Sequence, residues 1–489
     1  GEVGGAGDAG RAGDPGGAGQ GGRFSEPGWS GGSSRSGGSG HAGGPGQPVV
    51  ELTLCVEDFV GPDRWRWVLF GPDGGVLARH EVRLDPAGPQ YEAFLDLPGY
   101  LRRHAAPDVR AAREREIVRD VGTWIGTEVL GPVAPALLAA APAVVRVVVP
   151  RDVPAARRLM FVPLELAHAR GRPLAVQDVT LVTQRGAGRE GGEREKGRPV
   201  RVLALFSQPE GSRALNLRRE RLALTRLFTD AARSGRAVEV HTLQYGVTRE
   251  RLRTVLARPA GWDLIHVSGH GTPGELLLET DTGRPDRIRA PELVDLLGTA
   301  RDVSLVTLSS CWSAAAGTPV SEGNGASGGP EGAVVGAVAG DLVERLGCAV
   351  LAMRYPVEDG FAIALAEGLY RQLVVEGQVL PRALARVLAE LSAEGAPASA
   401  LRAATPALFG ARAVRLRLGA PVGGVPGTPS GGAQRRAPGE STAPSGPPDE
   451  PTVGAPGGAD IPGRDTPAQL PASTAHPSRS TRSPATAAT

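Results

Sequence analysis

Lysine is almost absent from this chain: among 489 residues the single example is Lys196, so arginine makes up nearly all of its 54 basic side chains. Against 52 acidic residues these leave a formal net charge of +2. No broad electrostatic field therefore favours nucleic acid or an anionic membrane as a partner. The arginine bias reads as the mark of a GC-rich genome rather than of a phosphate-reading surface. Cysteine is scarce as well. Cys55, Cys311 and Cys348 have the spacing of neither a metal site nor a disulfide framework, and they fit a reducing compartment. A long apolar run is missing too: VLGPVAPALLAAAPAVV (129–145) is broken by Pro132, Pro135 and Pro142 and is too short to span a bilayer comfortably. The expectation is a soluble, cytoplasmic protein, although a chain that starts at Gly1 without Met discloses nothing about targeting.

Glycine and proline are in excess, 70 and 43 residues, and they concentrate at the two ends. Residues 1–47 and 420–489 carry too little apolar surface to offset the entropy of ordering, and both are expected to be disordered tails. Between them the pattern changes twice. Residues 48–104 read as a β-rich N-terminal module, with VELTLCVEDF, RWRWVLF and VLARHEVRL separated by turns. In RWRWV the alternation of Arg64 and Arg66 with Trp65 and Trp67 has the period of a half-buried strand. Interleaved arginine and aromatics also suit a nucleic-acid platform, but no wider basic surface accompanies them. Residues 105–419 form the main domain. A helix is expected over 107–130, with Ile117, Val121, Trp124, Ile125 and Val129 along one face, and then a strand in AVVRVVVP.

A charged, Gly-rich stretch at 186–199 reads as a surface loop. Beyond it strands and helices alternate, which argues for a mostly parallel sheet covered by helices on both faces, an α/β fold. The strands are expected at 201–207, 238–246, 263–271, 303–311, 349–357 and 414–419. The helices fall at 213–234, 248–258, 290–299, 331–346, 360–377 and 380–394.

In such a sheet ligands bind beyond the carboxyl ends of the strands. One strand here ends in His270-Gly271 and the next in Ser309-Ser310-Cys311, a base and a nucleophile at consecutive strand ends. An imidazole beside a thiol can take its proton during attack and return it to a leaving amine. Gly271, without Cβ, lets the backbone approach a substrate, so its N–H and that of Cys311 are candidate donors to an oxyanion. His266, four residues before His270, is either a supporting hydrogen-bond partner or a core histidine, and Ser310 is a second supporting candidate. His266, His270 and Cys311 are also proper zinc ligands, but a fourth is not evident, so no metal or cofactor is expected. Gly269, Gly271 and Gly274 match G-x-G-x-x-G, yet Pro273 and a hairpin-like stretch follow where a dinucleotide site needs a helix.

HVSGHG (266–271), LVTLSSCWSA (305–314), AVLAMRYPVED (349–359), LMFVPLELAH (159–168) and TPALFGARAVRLRL (405–418) resemble the CHAT family, caspase-like cysteine proteases related to separases and gingipains. The resemblance covers about 130–419. It implies a caspase-like fold and cleavage of peptide bonds through a thioester acyl-enzyme. His270 would be the base and Cys311 the nucleophile, and the amides of Gly271 and Cys311 would form the oxyanion hole. It also implies a protein or peptide substrate and a dedicated activator or sensor protein. The family often carries an acidic residue after the nucleophile; here it is Trp312. The loop 317–332 is unusually long and Gly-rich, and it is expected to be mobile at rest. Glu358 and Asp359 either receive a basic substrate side chain or, in the case of Asp359, cap the helix that follows. The rival reading is an inactive caspase-like adaptor that binds peptides or partner proteins, and a third is a small-molecule thiol hydrolase or transferase.

Overall fold

A computed structural model describes residues 49–105, 110–188, 198–315, 338–393 and 400–419. Both tails, the loop 317–332 and most of the 186–199 stretch lie outside the described residues. One eleven-stranded sheet organises the rest. In chain order its strands are β1 (Val50–Gly61), β2 (Arg64–Phe70), β3 (Val76–Arg83), β4 (Ala143–Val149), β5 (Val179–Arg185), β6 (Val200–Phe206), β7 (Val238–Gln244), β8 (Leu264–Ser268), β9 (Leu305–Ser309), β10 (Ala349–Met353) and β11 (Pro406–Phe409). In space the order is β3-β2-β1-β4-β5-β11-β10-β9-β8-β6-β7.

From β10 to β7 all neighbours are parallel, as are β1, β4, β5 and β11. The single antiparallel seam between the two blocks is β10 against β11. The N-terminal strands pair antiparallel with one another and extend the same sheet, because β1 lies parallel to β4 with Val50 opposite Ala143.

Strand residues alternate between two cores. On β6, Leu203 and Leu205 face one core while Val202, Ala204 and Phe206 face the other. This two-sided burial explains the nearly unbroken Val/Leu runs in the sequence. Trp65 and Trp67 point together into the first core, 1% and 0% exposed, with ring centroids 6.0 Å apart edge to face. RWRWV is thus a strand whose aromatic face is inside. The first core is covered by α1 (Arg110–Trp124), α3 (Arg249–Leu256), α4 (Ala290–Leu297) and α5 (Val338–Leu346). The second is covered by α2 (Leu217–Arg233), α6 (Asp359–Tyr370) and α7 (Leu380–Ala393). In α2, Leu217, Leu224, Leu227, Phe228 and Ala231 repeat at the helical period and are buried. Each such leucine contributes about 1.5–3 kcal/mol when fully removed from water.

The end of the domain departs from the sequence expectation. VRLRLG is not a strand of the sheet; Ala411–Arg415 is a 3-10 turn, and beyond it only an isolated bridge joins Arg417 to Val379. The closing strand is the four-residue Pro406–Phe409 instead. Its side chains are all buried, and it fills the slot between β10 and β5. An alternating pattern signals a half-exposed strand, so a short, fully buried one escapes it.

Candidate active site

Parallel pairing sets the geometry of the rim. Ser268 at the end of β8 stands opposite Ser309 at the end of β9. His270 and Cys311 each lie two residues beyond these matched serines, so both leave the sheet at the same carboxyl edge on neighbouring strands. A short hairpin holds the histidine side. Gly271 pairs with Leu276, and the N–H of Leu277 donates to the carbonyl of His270 at 3.0 Å.

Gly271 is required by space: a Cβ there would stand 2.4 Å from the carbonyl oxygen of Cys311. On the cysteine side the chain turns at once. Trp312 takes a left-handed φ of 64°, a conformation that costs a bulky residue of order 1–3 kcal/mol and recurs at functional turns. Ser313 fastens that turn to β10, its hydroxyl accepting from the N–H of Met353 at 2.9 Å.

The two reactive side chains have separate partners. His270 is half-buried, and its Nε2 lies 2.6 Å from the carbonyl oxygen of Arg213. A carbonyl only accepts, so Nε2 carries the proton toward it and Nδ1 is left as the basic nitrogen of the neutral ring. The Sγ of Cys311 accepts from the N–H of Val357 at 3.4 Å and sits 4.0 Å from the carbonyl of the same residue. His270 and Cys311 make no hydrogen bond to each other.

Beside the sulfur is a small cavity of about 30 Å³, lined by Glu220, Ser268, Ser309, Cys311, Val357 and Asp359 among others. Glu220 forms its floor. The carboxylate is 3% exposed and accepts from Ser268 Oγ at 2.5 Å, from Ser309 Oγ at 3.2 Å and from His266 Nε2 at 3.2 Å. Burial pushes this carboxyl up, but the hydrogen bonds and the neighbouring His266 outweigh it and hold Glu220 below the ordinary glutamate value.

His266 is fully buried beneath that floor, with Nδ1 2.7 Å from the hydroxyl of Tyr370. It touches neither His270 nor Cys311 through a hydrogen bond; its place is in the network under the cavity. Ser310 is buried with its hydroxyl unpaired.

The two acidic candidates part company. Glu358 is turned outward into a two-pronged ion pair with Arg402, at 2.5 and 2.6 Å. Asp359 lines the cavity. Its carboxylate does not cap its own helix but accepts from the backbone N–H of Asn216, at 2.8 Å, where α2 begins. Among the described residues no group of three or more His, Cys, Asp or Glu is arranged to hold a metal ion.

Sequence reasoning passed over Glu220, Ser268, Ser309 and Val357. Glu220 left one signal, since it is the charged residue on the apolar stripe Leu217–Leu224–Leu227 of α2. Val357 left none, because its contribution is backbone.

The rim thus belongs to an α/β domain with a thiol and an imidazole at adjacent parallel strand ends. A family model described as the CHAT domain matches residues 119–408. The chain belongs to the CHAT family. No curated protein matches it. Among solved structures it is similar to the Arg-specific cysteine proteinase gingipain R of Porphyromonas gingivalis, at 13% identity over 64% of this chain and 70% of that one, with a TM-score of 0.36. It is also similar to a Saccharomyces cerevisiae separase–securin complex, at 10% identity over 74% of this chain, with a TM-score of 0.42. There it spans only 30% of the other chain's length. A secreted C11 cysteine protease from Bacteroides thetaiotaomicron, solved with an irreversible peptide inhibitor, matches at 9% identity over 40% of this chain and 59% of that one, with a TM-score of 0.26.

Proposed function

We propose that this protein is a cysteine endopeptidase working through Cys311 and His270. The observation that carries this reading is the register of β8 and β9, with Ser268 opposite Ser309, from which both side chains emerge on one edge. In the first step Nδ1 of His270 takes the thiol proton and the sulfur attacks the carbonyl carbon of the scissile bond. The developing oxyanion is received by the backbone N–H groups of Gly271 and Cys311. His270 then gives its proton to the leaving amine, a thioester remains on Cys311, and water hydrolyses it with His270 as base. The carbonyl of Arg213 supports the chemistry by fixing the tautomer and accepting more strongly from the imidazolium.

The side chain preceding the scissile bond enters the cavity beside the sulfur. Asp359 on its wall and the ionised Glu220 on its floor favour arginine or lysine there. Glu358, engaged by Arg402, takes no part. His266 and Ser310 act as supporting residues around the floor and the nucleophile. An activator or sensor protein is a partner of the enzyme and raises its activity.

Peptide cleavage tests this reading. The full chain cuts peptides after Arg or Lys and is labelled at Cys311 by a peptidyl acyloxymethyl ketone, and both activities vanish in Cys311→Ala and His270→Ala. Labelling of Cys311 that is indifferent to His270 refutes it. A library without preference for Arg or Lys removes the specificity while leaving the peptidase. One observation favours a second reading, an adaptor that binds peptides without cutting them: the sulfur is hydrogen-bonded to Val357 rather than to His270. Peptide binding that survives in Cys311→Ala, with no turnover by the parent under any activator, is the outcome that reading requires.

A further inference from the structure

Cys311 lines the cavity proposed to take the substrate side chain. Its hydrogen-bond partner, Val357, lines that cavity with it, whereas His270 does not. At about 30 Å³ the space holds about one water molecule, far less than a guanidinium needs. Something must yield before a substrate side chain can enter, and the polar part of the boundary is fastened. Glu220 is held by three hydrogen bonds and Asp359 by the N–H of Asn216. The loop that carries Val357 is anchored three residues earlier at Arg354. That side chain is buried and paired twice with Glu165, and the backbone N–H of Arg354 donates to the carbonyl of Thr405 at 2.8 Å. Among the polar groups of the lining, what remains is the thiol. It turns about a single torsion between staggered wells, and what it gives up is one N–H···S bond and a 4.0 Å approach to the carbonyl of the same residue.

We infer that Val357 parks the sulfur across the mouth of the cavity, and that a cationic side chain entering the cavity displaces the sulfur toward Nδ1 of His270. The inference rests on the cavity and the Cys311–His270 pair of the preceding reading and adds a coupling to it. The residue that is recognised is also the one that delivers the nucleophile to its base. A peptide lacking that side chain meets a sulfur that is turned away, so discrimination appears in the rate of acylation as well as in binding.

The coupling can be read without any peptide. Iodoacetamide alkylates Cys311 in one step: the C–S bond forms, iodide leaves, and the thiol proton passes to His270. The rate of that step on the full chain is followed by mass spectrometry with and without propylguanidinium, which fills the cavity but occupies no backbone site. Propylurea, its neutral counterpart of similar shape, serves as the comparison. The expected result is at least a threefold acceleration by propylguanidinium, none by propylurea, and loss of the acceleration in His270→Ala and in Asp359→Asn. An unchanged rate, protection of Cys311 by the cation, or equal acceleration by propylurea overturns the inference. Cleavage of Arg peptides without cation-stimulated alkylation leaves the peptidase and removes the coupling. Stimulated alkylation without cleavage keeps the coupling and removes the peptidase.

Discussion

Arg354 and Glu165 lie 189 positions apart in the chain and meet in the interior through two hydrogen bonds of 2.9 and 3.1 Å. The guanidinium also lies 5.5 Å over the ring of Phe409. The pair ties the 3-10 turn Leu164–Leu166, within the segment FVPLELAH, to the end of β10, the strand next to the one that carries the nucleophile. Both side chains are almost completely removed from water, 3% and 7% exposed, so neither can be left alone cheaply. Glu165→Gln or Arg354→Met should therefore destabilise the fold by about 3–5 kcal/mol. Urea unfolding measures this. A double variant, Glu165→Leu with Arg354→Met, should recover part of the loss, because no unpaired charge remains. Single variants that unfold at the parental midpoint would contradict it.

Gly271 gives a second test. A methyl group there meets the Cys311 carbonyl at 2.4 Å, a backbone atom with no flexible end to swing aside. Gly271→Ala must push the two strand ends apart, and displacements near 1 Å at a reacting centre cost about 10²-fold in rate. The expected outcome is a fall of that size in peptide turnover with little change in far-ultraviolet circular dichroism. Unchanged turnover would mean that the hairpin does not set the geometry of the rim.

The three thiols should differ sharply in reactivity. Burial pushes the Cys348 thiol up to about 12, and burial, then the nearby Glu57, raises that of Cys55. Only the thiolate attacks, so at pH 8 the native chain should be alkylated first at Cys311, slowly at Cys55 and not at Cys348. In denaturant all three should react alike. Modification of Cys348 at the same rate in the native chain as in denaturant would overturn this ordering.

Glu220 links stability to acid. Its carboxyl is held below the value of 4.5 that applies when it is unpaired. Above that value the charge is present in folded and unfolded chains alike, and the folded state has the full benefit of it. As pH falls through the folded value the proton binds and the benefit is lost. The unfolding free energy should accordingly decline below about pH 4.5, and Glu220→Gln should flatten that part of the profile while lowering stability at pH 7. A parental profile retained in Glu220→Gln would assign the acid sensitivity to other carboxylates.

Much of this was legible in the residues. The alternation from Val200 onward gave the parallel block, because strands buried on both faces show as apolar runs and the helices between them as amphipathic stretches. His270 and Cys311 stood out through their place directly after such runs, where an open sheet exposes its chemistry. What escaped was long-range. The pairing of β1 with β4 joins Val50 to Ala143 across nearly a hundred residues and leaves no local trace. Asp359 had a local reading as a helix cap; its carboxylate instead accepts a hydrogen bond at the start of a helix more than 140 positions earlier, while it still lines the cavity. Val357 acts through its peptide group, which every residue but proline possesses.

The seam between β10 and β11 has one more effect. Because β5 runs opposite to β9, the chain leaves β5 after Arg185 on the rim remote from Cys311, and it re-enters the sheet at Val200, the amino end of β6, on that same remote rim. A strand of five to seven residues is about 17–23 Å long, and that much protein separates the two edges. New termini or a grafted domain between Gly188 and Arg198 would hang from the far side, so the chain offers a natural point for circular permutation that leaves its reactive edge untouched.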